Sequence, residues 1–308
     1  MISSYTRMRP IVIFFSQSGN TKKVAFSIYE GVKDFIGRCR LVSIGLVNQE
    51  ELKNYDLIGI GSPVWGGVPA HVRRFINRAP ELSGRYAFSF CTHGAKPERF
   101  FPQMARLLTK KGLTLIGMED WYGSVFHPLL PKPYLTDGHP DEIDLREAYE
   151  FGMRIAQMAV KIANGEEVPL PTLPPPPPPR TVKRLYPKLS LIKERCKFPE
   201  CQLCVYHCRL RVIDLSKNPP KFPRVCQPCY FCEMICPEGA IEINYEEDSA
   251  IEIERARTLF IKSLEDAERA GRFRRLVPLH EVGWDTPFYK LYDTHPRIVP
   301  EEEIDIGD

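Results

Sequence analysis

Nowhere in the 308 residues do about 18 apolar residues run together, so no membrane-spanning helix is expected. A secretory leader is not expected either. Met1 leads through a few polar and basic residues into 11–15, an apolar run too short for a leader core and its cleavage site, and better read as a buried strand. A cytoplasmic location follows as the expectation. The phosphate loop Gly-x-x-x-x-Gly-Lys-Ser/Thr is missing, and so is the dinucleotide fingerprint Gly-x-Gly-x-x-Gly. Charge of one sign is missing too: the net is only +3, and nothing in it points to nucleic acid. With 43% hydrophobic residues, disorder throughout is excluded.

Cysteine is scarce except in one place. Ten occur, and eight of them fall between Cys196 and Cys236, whereas Cys39 and Cys91 stand alone as expected buried thiols. Clustered cysteines without an export signal argue for metal rather than disulfides.

The length allows about two domains. Over 1–165, strand-like segments (11–15, 40–46, 57–61, 86–91, 113–117) alternate with helix-like ones. In the first of those helices Val24, Ile28, Val32 and Phe35 recur at helical spacing. Five strands alternating with helices imply an α/β fold, a doubly wound parallel sheet. A last helix near 143–163 ends in Asn164-Gly165. Residues 166–185 form a proline-rich linker with an unbroken run from Pro174 to Pro179, expected as a polyproline II spacer. Residues 186–250 are a small cysteine-dense domain. Residues 251–308 begin with a charged helix (253–270) and continue as an aromatic, docking tail with Trp284, Phe288, Tyr289 and Tyr292.

After the first strand, Ser16-Gln17-Ser18-Gly19-Asn20-Thr21 opens a helix. Small hydroxyl residues and a glycine let backbone N–H groups converge on a phosphate, with the helix dipole behind them. A mononucleotide fits this better than a dinucleotide. The run resembles the FMN-phosphate loop of flavodoxins. That resemblance implies two more loops: Ser62-Pro63-Val64-Trp65-Gly66-Gly67 after the third strand and Thr92-His93-Gly94 after the fourth. It implies FMN as cofactor, with Trp65 against the ring and His93 beside it. Trp121 and Tyr122 are further candidates to cover the flavin, and His71 is expected only to start a helix.

In the cysteine-dense region, Cys201, Cys204 and Cys208 repeat as Cys229, Cys232 and Cys236 at a constant offset of 28. The same offset carries 212–215 onto 240–243, so each half reads as a cysteine loop, a helical turn and a short strand. Cys226-x2-Cys229-x2-Cys232-x3-Cys236-Pro237 is similar to the bacterial ferredoxin run, whose fourth cysteine crosses to the other cluster. Two [4Fe–4S] clusters are implied, in an α+β ferredoxin-like domain. One would use Cys196, Cys201, Cys204 and Cys236; the other would use Cys226, Cys229, Cys232 and Cys208. Two departures stand out: Cys196 is followed by a widened x4 gap, and Cys208 by Arg209 instead of proline. A [3Fe–4S] first cluster stays open, and zinc is the alternative to iron–sulfur.

The whole resembles flavodoxin–ferredoxin fusion proteins of anaerobic microbes. The implied function is a carrier relaying low-potential electrons between FMN and two clusters, to or from a partner redox protein. The alternatives are an NAD(P)H-dependent FMN or quinone reductase, and a dedicated subunit of a larger redox complex. Self-association stays open, and no catalytic residue is assigned.

Overall fold

The computed structural model describes residues 8–175, 189–216, 229–243, 245–291 and 294–307. The chain divides into two compact units. One comprises 1–123, 138–178 and 302–308, and the other 124–137 and 179–301.

The first unit carries strands β1 (Pro10–Phe14), β2 (Arg40–Ser43), β3 (Leu57–Pro63), β4 (Tyr86–His93) and β5 (Thr114–Tyr122). Between and after them come helices α1 (Asn20–Ile36), α2 (Ala70–Arg78), α3 (Phe100–Thr109) and α4 (Glu142–Ala163). The five strands pair in parallel in the order β5-β4-β3-β1-β2. Side chains alternate along β1 as a strand's period requires. Ile11 and Ile13 join Val72, Phe75, Met104 and Leu108 of α2 and α3. Val12 and Phe14 join Val24, Ile28, Phe151 and Ile155 of α1 and α4 on the other face. Both faces are covered, which is why the strands read as continuous apolar runs.

Close packing explains three glycines. A Cβ on Gly31 of α1 would collide with the Tyr149 carbonyl, and one on Gly152 of α4 with the Ile28 carbonyl, so the two helices touch backbone to backbone. On β3, Gly59 gives its side-chain space to the Phe88 ring. The last helix runs where it is expected and starts with a full capping box: Asp141 accepts from Ile143 and Asp144 N–H, and Asp144 accepts from Asp141 N–H.

Three features depart from the sequence reading. A sixth strand, Asp305–Ile306, adds antiparallel to β2, so the expected five-strand sheet gains an edge. Its anchor is Arg40, which donates to both Asp305 carboxylate oxygens at 2.8 and 2.7 Å. Strand β5 runs on to Tyr122, and 124–137 belongs to the second unit.

The second unit pairs β6 (Leu189–Leu191) antiparallel with β7 (Ile241–Ile243). The helical turns α5 (Leu203–Tyr206) and α6 (Phe231–Met234) coincide at the repeat offset of 28. The strand expected at 212–215 is not formed beyond a single bridge at Asp214; β7 takes its partner from upstream of the first cysteine. The charged stretch after β7 is α7 (Glu246–Arg255), a π-helical turn over Ala256–Phe260 and α8 (Ile261–Arg269). The tail docks within this unit. Phe288 joins Leu129, Tyr230, Phe231, Met234 and Tyr245 in one core. Buried Glu233 accepts from Arg297 Nε and from the Tyr245 hydroxyl, both at 2.8 Å. Among the described residues no helix is long and apolar enough to cross a membrane. Part of the proline linker (176–185) and Tyr292 lie outside the described residues.

Candidate functional site

The loops after β1, β3 and β4 lie at the carboxyl end of the sheet, where open α/β sheets take their ligands. They are tied to one another. Thr21 Oγ1 lies 2.7 Å from Thr92 Oγ1, both buried. Val64 N–H donates to the Thr92 carbonyl at 3.0 Å, and the Asn20 side chain packs against Gly123 beyond β5. Gly19 takes φ 87° and opens α1 with no side-chain cap and no acid in the first turn. The first-turn N–H groups of a helix have no partner inside it, so this end suits an anion. Gly66 and Gly67 take φ 64° and 131°, which other residues adopt only under strain. That turn is closed by Trp65 N–H donating to the Gly67 carbonyl at 3.0 Å. Half-buried Trp65 stands edge-on to Phe15, ring centres 5.5 Å apart.

His93 ends β4 inside this cluster. Its Nε2 lies 2.7 Å from Asp120 Oδ2 on β5, and Tyr122 packs edge-on at 4.7 Å. The ring is buried, and Nδ1 has no hydrogen-bond partner. Burial, then Asp120, raises the Glu119 carboxyl above its ordinary value. Burial, then Asp120 and Glu119, pushes the Cys91 thiol far up, so it is an inert thiol rather than a thiolate. Trp121 does not cover the site. It points to the α4 face and packs edge-on to Phe151 at 5.7 Å. His71 is buried on α2, its ring 4.2 Å from Phe15.

In the second unit, Cys196, Cys201, Cys204 and Cys236 line one cavity of about 350 Å³, counting its open mouth, together with Leu191, Leu215 and Ile241. The widened loop closes by Cys201 N–H donating to the Lys197 carbonyl at 2.8 Å, and this keeps Cys196 on the cavity wall. The Cys204 thiol is pushed up to about 12 by burial, then by Cys236, Cys196 and Cys201. Ala240 N–H donates to Cys236 Sγ at 3.3 Å. Cys208, Cys229 and Cys232 are half-buried in the same unit, and the rings of His207 and Phe231 beside Cys208 and Cys232 stand 6.1 Å apart. Cys226 lies outside the described residues.

Residues 11–119 match the sequence model of the flavodoxin domain family. The first unit is flavodoxin-like. A flavodoxin of Aquifex aeolicus is 26% identical over 168 residues, covering 51% of this chain and 90% of its own. An NAD(P)H dehydrogenase (quinone) of Archaeoglobus fulgidus is 24% identical over 199 residues, covering 50% of this chain and 98% of its own. Among solved structures, a flavodoxin from the domain Archaea aligns with a TM-score of 0.40 at 21% identity, over 49% of this chain and 99% of its own.

Within the flavodoxin-like unit, Ser16 to Gly19, Val64 to Gly67 and Gly94 lie in the three loops, whereas Asn20 and Thr21 open α1, Ser62 and Pro63 end β3, and Thr92 and His93 end β4. Asp120 escaped the sequence reading. Its carboxylate and that of Glu119 interrupt the apolar pattern, so the fifth strand was expected to stop at 117. The signal was there: Asp120, immediately before the Trp121-Tyr122 pair and two residues before Tyr122, shares a face with Tyr122 in strand alternation.

Proposed function

We propose that the protein relays low-potential electrons between FMN and two [4Fe–4S] clusters, to or from a partner redox protein. The observation that carries the reading is the convergence of Cys196, Cys201, Cys204 and Cys236, drawn from both halves of the repeat, on one cavity. A crossing fourth cysteine is what two-cluster ferredoxins require. Zinc fits the sulfurs less well. Tetrahedral Zn–S bonds of about 2.3 Å hold their sulfurs about 3.8 Å apart. Among the described residues, the only three candidate ligands within 4.8 Å of one another are His139, Asp141 and Asp144, not cysteines. Cys208, Cys229 and Cys232, with Cys226, would hold the second cluster.

The donor set of the first unit fits FMN: an uncapped helix N-terminus for the phosphate, left-handed glycines for close backbone approach, and a half-buried tryptophan for the ring. When bound, FMN exchanges one or two electrons, which suits clusters that pass one at a time. The chain's own part is to hold the phosphate on Ser16 to Thr21, to seat the ring between Ser62 to Gly67 and Thr92 to Gly94, and to keep water from Thr21 and Thr92.

Anaerobic iron, sulfide and flavin analysis with EPR on stepwise reduction tests the reading. About eight iron and eight sulfide per FMN support it; zinc without sulfide removes the relay. A second reading, an NAD(P)H-dependent quinone reductase, is favoured by the Archaeoglobus relative, and steady-state NAD(P)H oxidation in the absence of a redox partner would establish it.

A further inference from the structure

Buried imidazoles rarely leave a nitrogen unpaired. His93 does so beside a carboxylate, at the end of β4 that the proposed flavin would touch. Its Nε2 is engaged by Asp120 at 2.7 Å, its ring is sealed by Tyr122, and its Nδ1 is buried without a partner. In the neutral ring, Asp120 accepts from Nε2–H and fixes the tautomer, so Nδ1 offers a lone pair. When the ring is protonated, Asp120 balances the charge and Nδ1 becomes a donor.

We infer that His93 hydrogen-bonds the polar edge of the bound flavin through Nδ1, with Asp120 as the positioning residue, and that the ring gives up a proton as the flavin is reduced. The inference rests on the FMN reading. Two-electron reduction of a flavin takes one proton from solvent onto a ring nitrogen, turning an acceptor into a donor. A neutral Nδ1 favours that reduced edge, and a protonated Nδ1–H favours the oxidised one. The ring's loss offsets the flavin's gain, so the preference for reduced over oxidised FMN depends on pH less steeply than the flavin's own proton would make it.

The other titratable groups near the pair are few. Glu119 and Cys91 adjoin Asp120 on β5 and β4, both held towards their neutral forms. Tyr122 carries His139 on its other side, 6.1 Å between ring centres, and His139 Nδ1 is bonded to Asp144 at 2.5 Å. The second histidine is thus tied into the α4 cap rather than to His93.

The test uses the full chain, stripped of flavin and titrated with FMN by fluorescence quenching. Midpoint potentials of the bound flavin are then measured from pH 6 to 8 with dithionite as the electron source. His93→Phe should weaken oxidised FMN by up to about tenfold at the acid end of that range, the worth of one buried hydrogen bond, and steepen the slope of potential against pH to that of the flavin's own proton. His93→Gln, which retains hydrogen-bonding atoms, should recover much of the affinity but not the slope. Asp120→Asn should keep the fold and likewise steepen the slope, because the ring loses the carboxylate that balances its proton, and it serves if His93→Phe does not fold. Variants that match wild type in affinity and slope overturn the role of the pair while leaving FMN in place. Wild-type protein that binds no FMN overturns the flavin reading itself.

Discussion

Removing the Asp305 carboxylate should loosen the first unit by a small, calculable amount, although Asp305 lies 265 residues from the arginine it engages. Arg40 grips it with two parallel bonds and also donates to Glu51 and the Tyr55 hydroxyl at 2.9 and 3.0 Å. The Asp305 side chain is 38% exposed, so solvent screens the pair, and Asp305→Ala is expected to cost about 1 kcal/mol, the upper end for surface pairs. Deleting 302–308 costs more. It also removes the Ser43 N–H bond to the Ile304 carbonyl at 2.8 Å and the Ile304 N–H bond to Ser43 Oγ at 2.9 Å. Each is worth about 1 kcal/mol, so the deletion is expected to lose more than Asp305→Ala alone. The sign with pH is fixed by Arg40, which holds the Asp305 carboxyl below its ordinary value. The pair's contribution is complete above the usual carboxylate range, about pH 4, and disappears as pH falls through the depressed value. Urea unfolding in a Trp284→Phe background reports the first unit alone, through Trp65 and Trp121. Equal midpoints for wild type and the deletion at pH 7, or a gap between wild type and Asp305→Ala that persists at pH 2, would refute the reasoning.

Further outcomes follow from other contacts. Gly31→Ala or Gly152→Ala drives a methyl into the facing helix backbone and should destabilise the first unit by about 1–3 kcal/mol, read by the same unfolding assay. Arg297→Ala strands the buried Glu233 and should cost the second unit about 3–5 kcal/mol by denaturant titration; an unchanged midpoint contradicts the burial. Cys196→Ser should lower the iron content and destabilise only the cluster held by the first cavity, seen as loss of one EPR component. Burial, then Arg255, pushes half-buried His127 down to about 4. The unfolded chain therefore takes up a proton first, and the second unit loses stability as pH drops from about 6.5 towards 4, a loss that His127→Gln should reduce.

The parallel sheet was legible because its strands are buried on both faces and read as unbroken apolar runs, from Ile11 to Phe15 and from Tyr86 to Cys91. The three loops were legible because glycine and hydroxyl residues sit where strands end. The edge strand was not. Asp305–Ile306 is two residues long, and its specificity comes from the distant Arg40, which no local pattern announces. Asp120 was hidden for a related reason: a carboxylate at a strand's end looks like the start of a loop until the register pairs it with Cys91. The repeat of the cysteines carried further than the strand beside it. Spacing fixed α5 and α6 to the same offset, yet β7 chose Leu189–Leu191 over the repeat-related 212–215.

The edge strand also has a meaning for synthesis. Domains ordinarily fold in the order in which they leave the ribosome. Here the chain lays down β1 to β5 and α4, departs to build the second unit, and returns to the first sheet only at Asp305. Until then β2 is an open edge, able to pair with a neighbouring nascent chain. Residues 302–307 emerge after every cysteine of the repeat, so the closing of the first sheet waits on the translation of the second unit. A stalled or truncated chain would therefore betray itself by an unpaired strand in its oldest part.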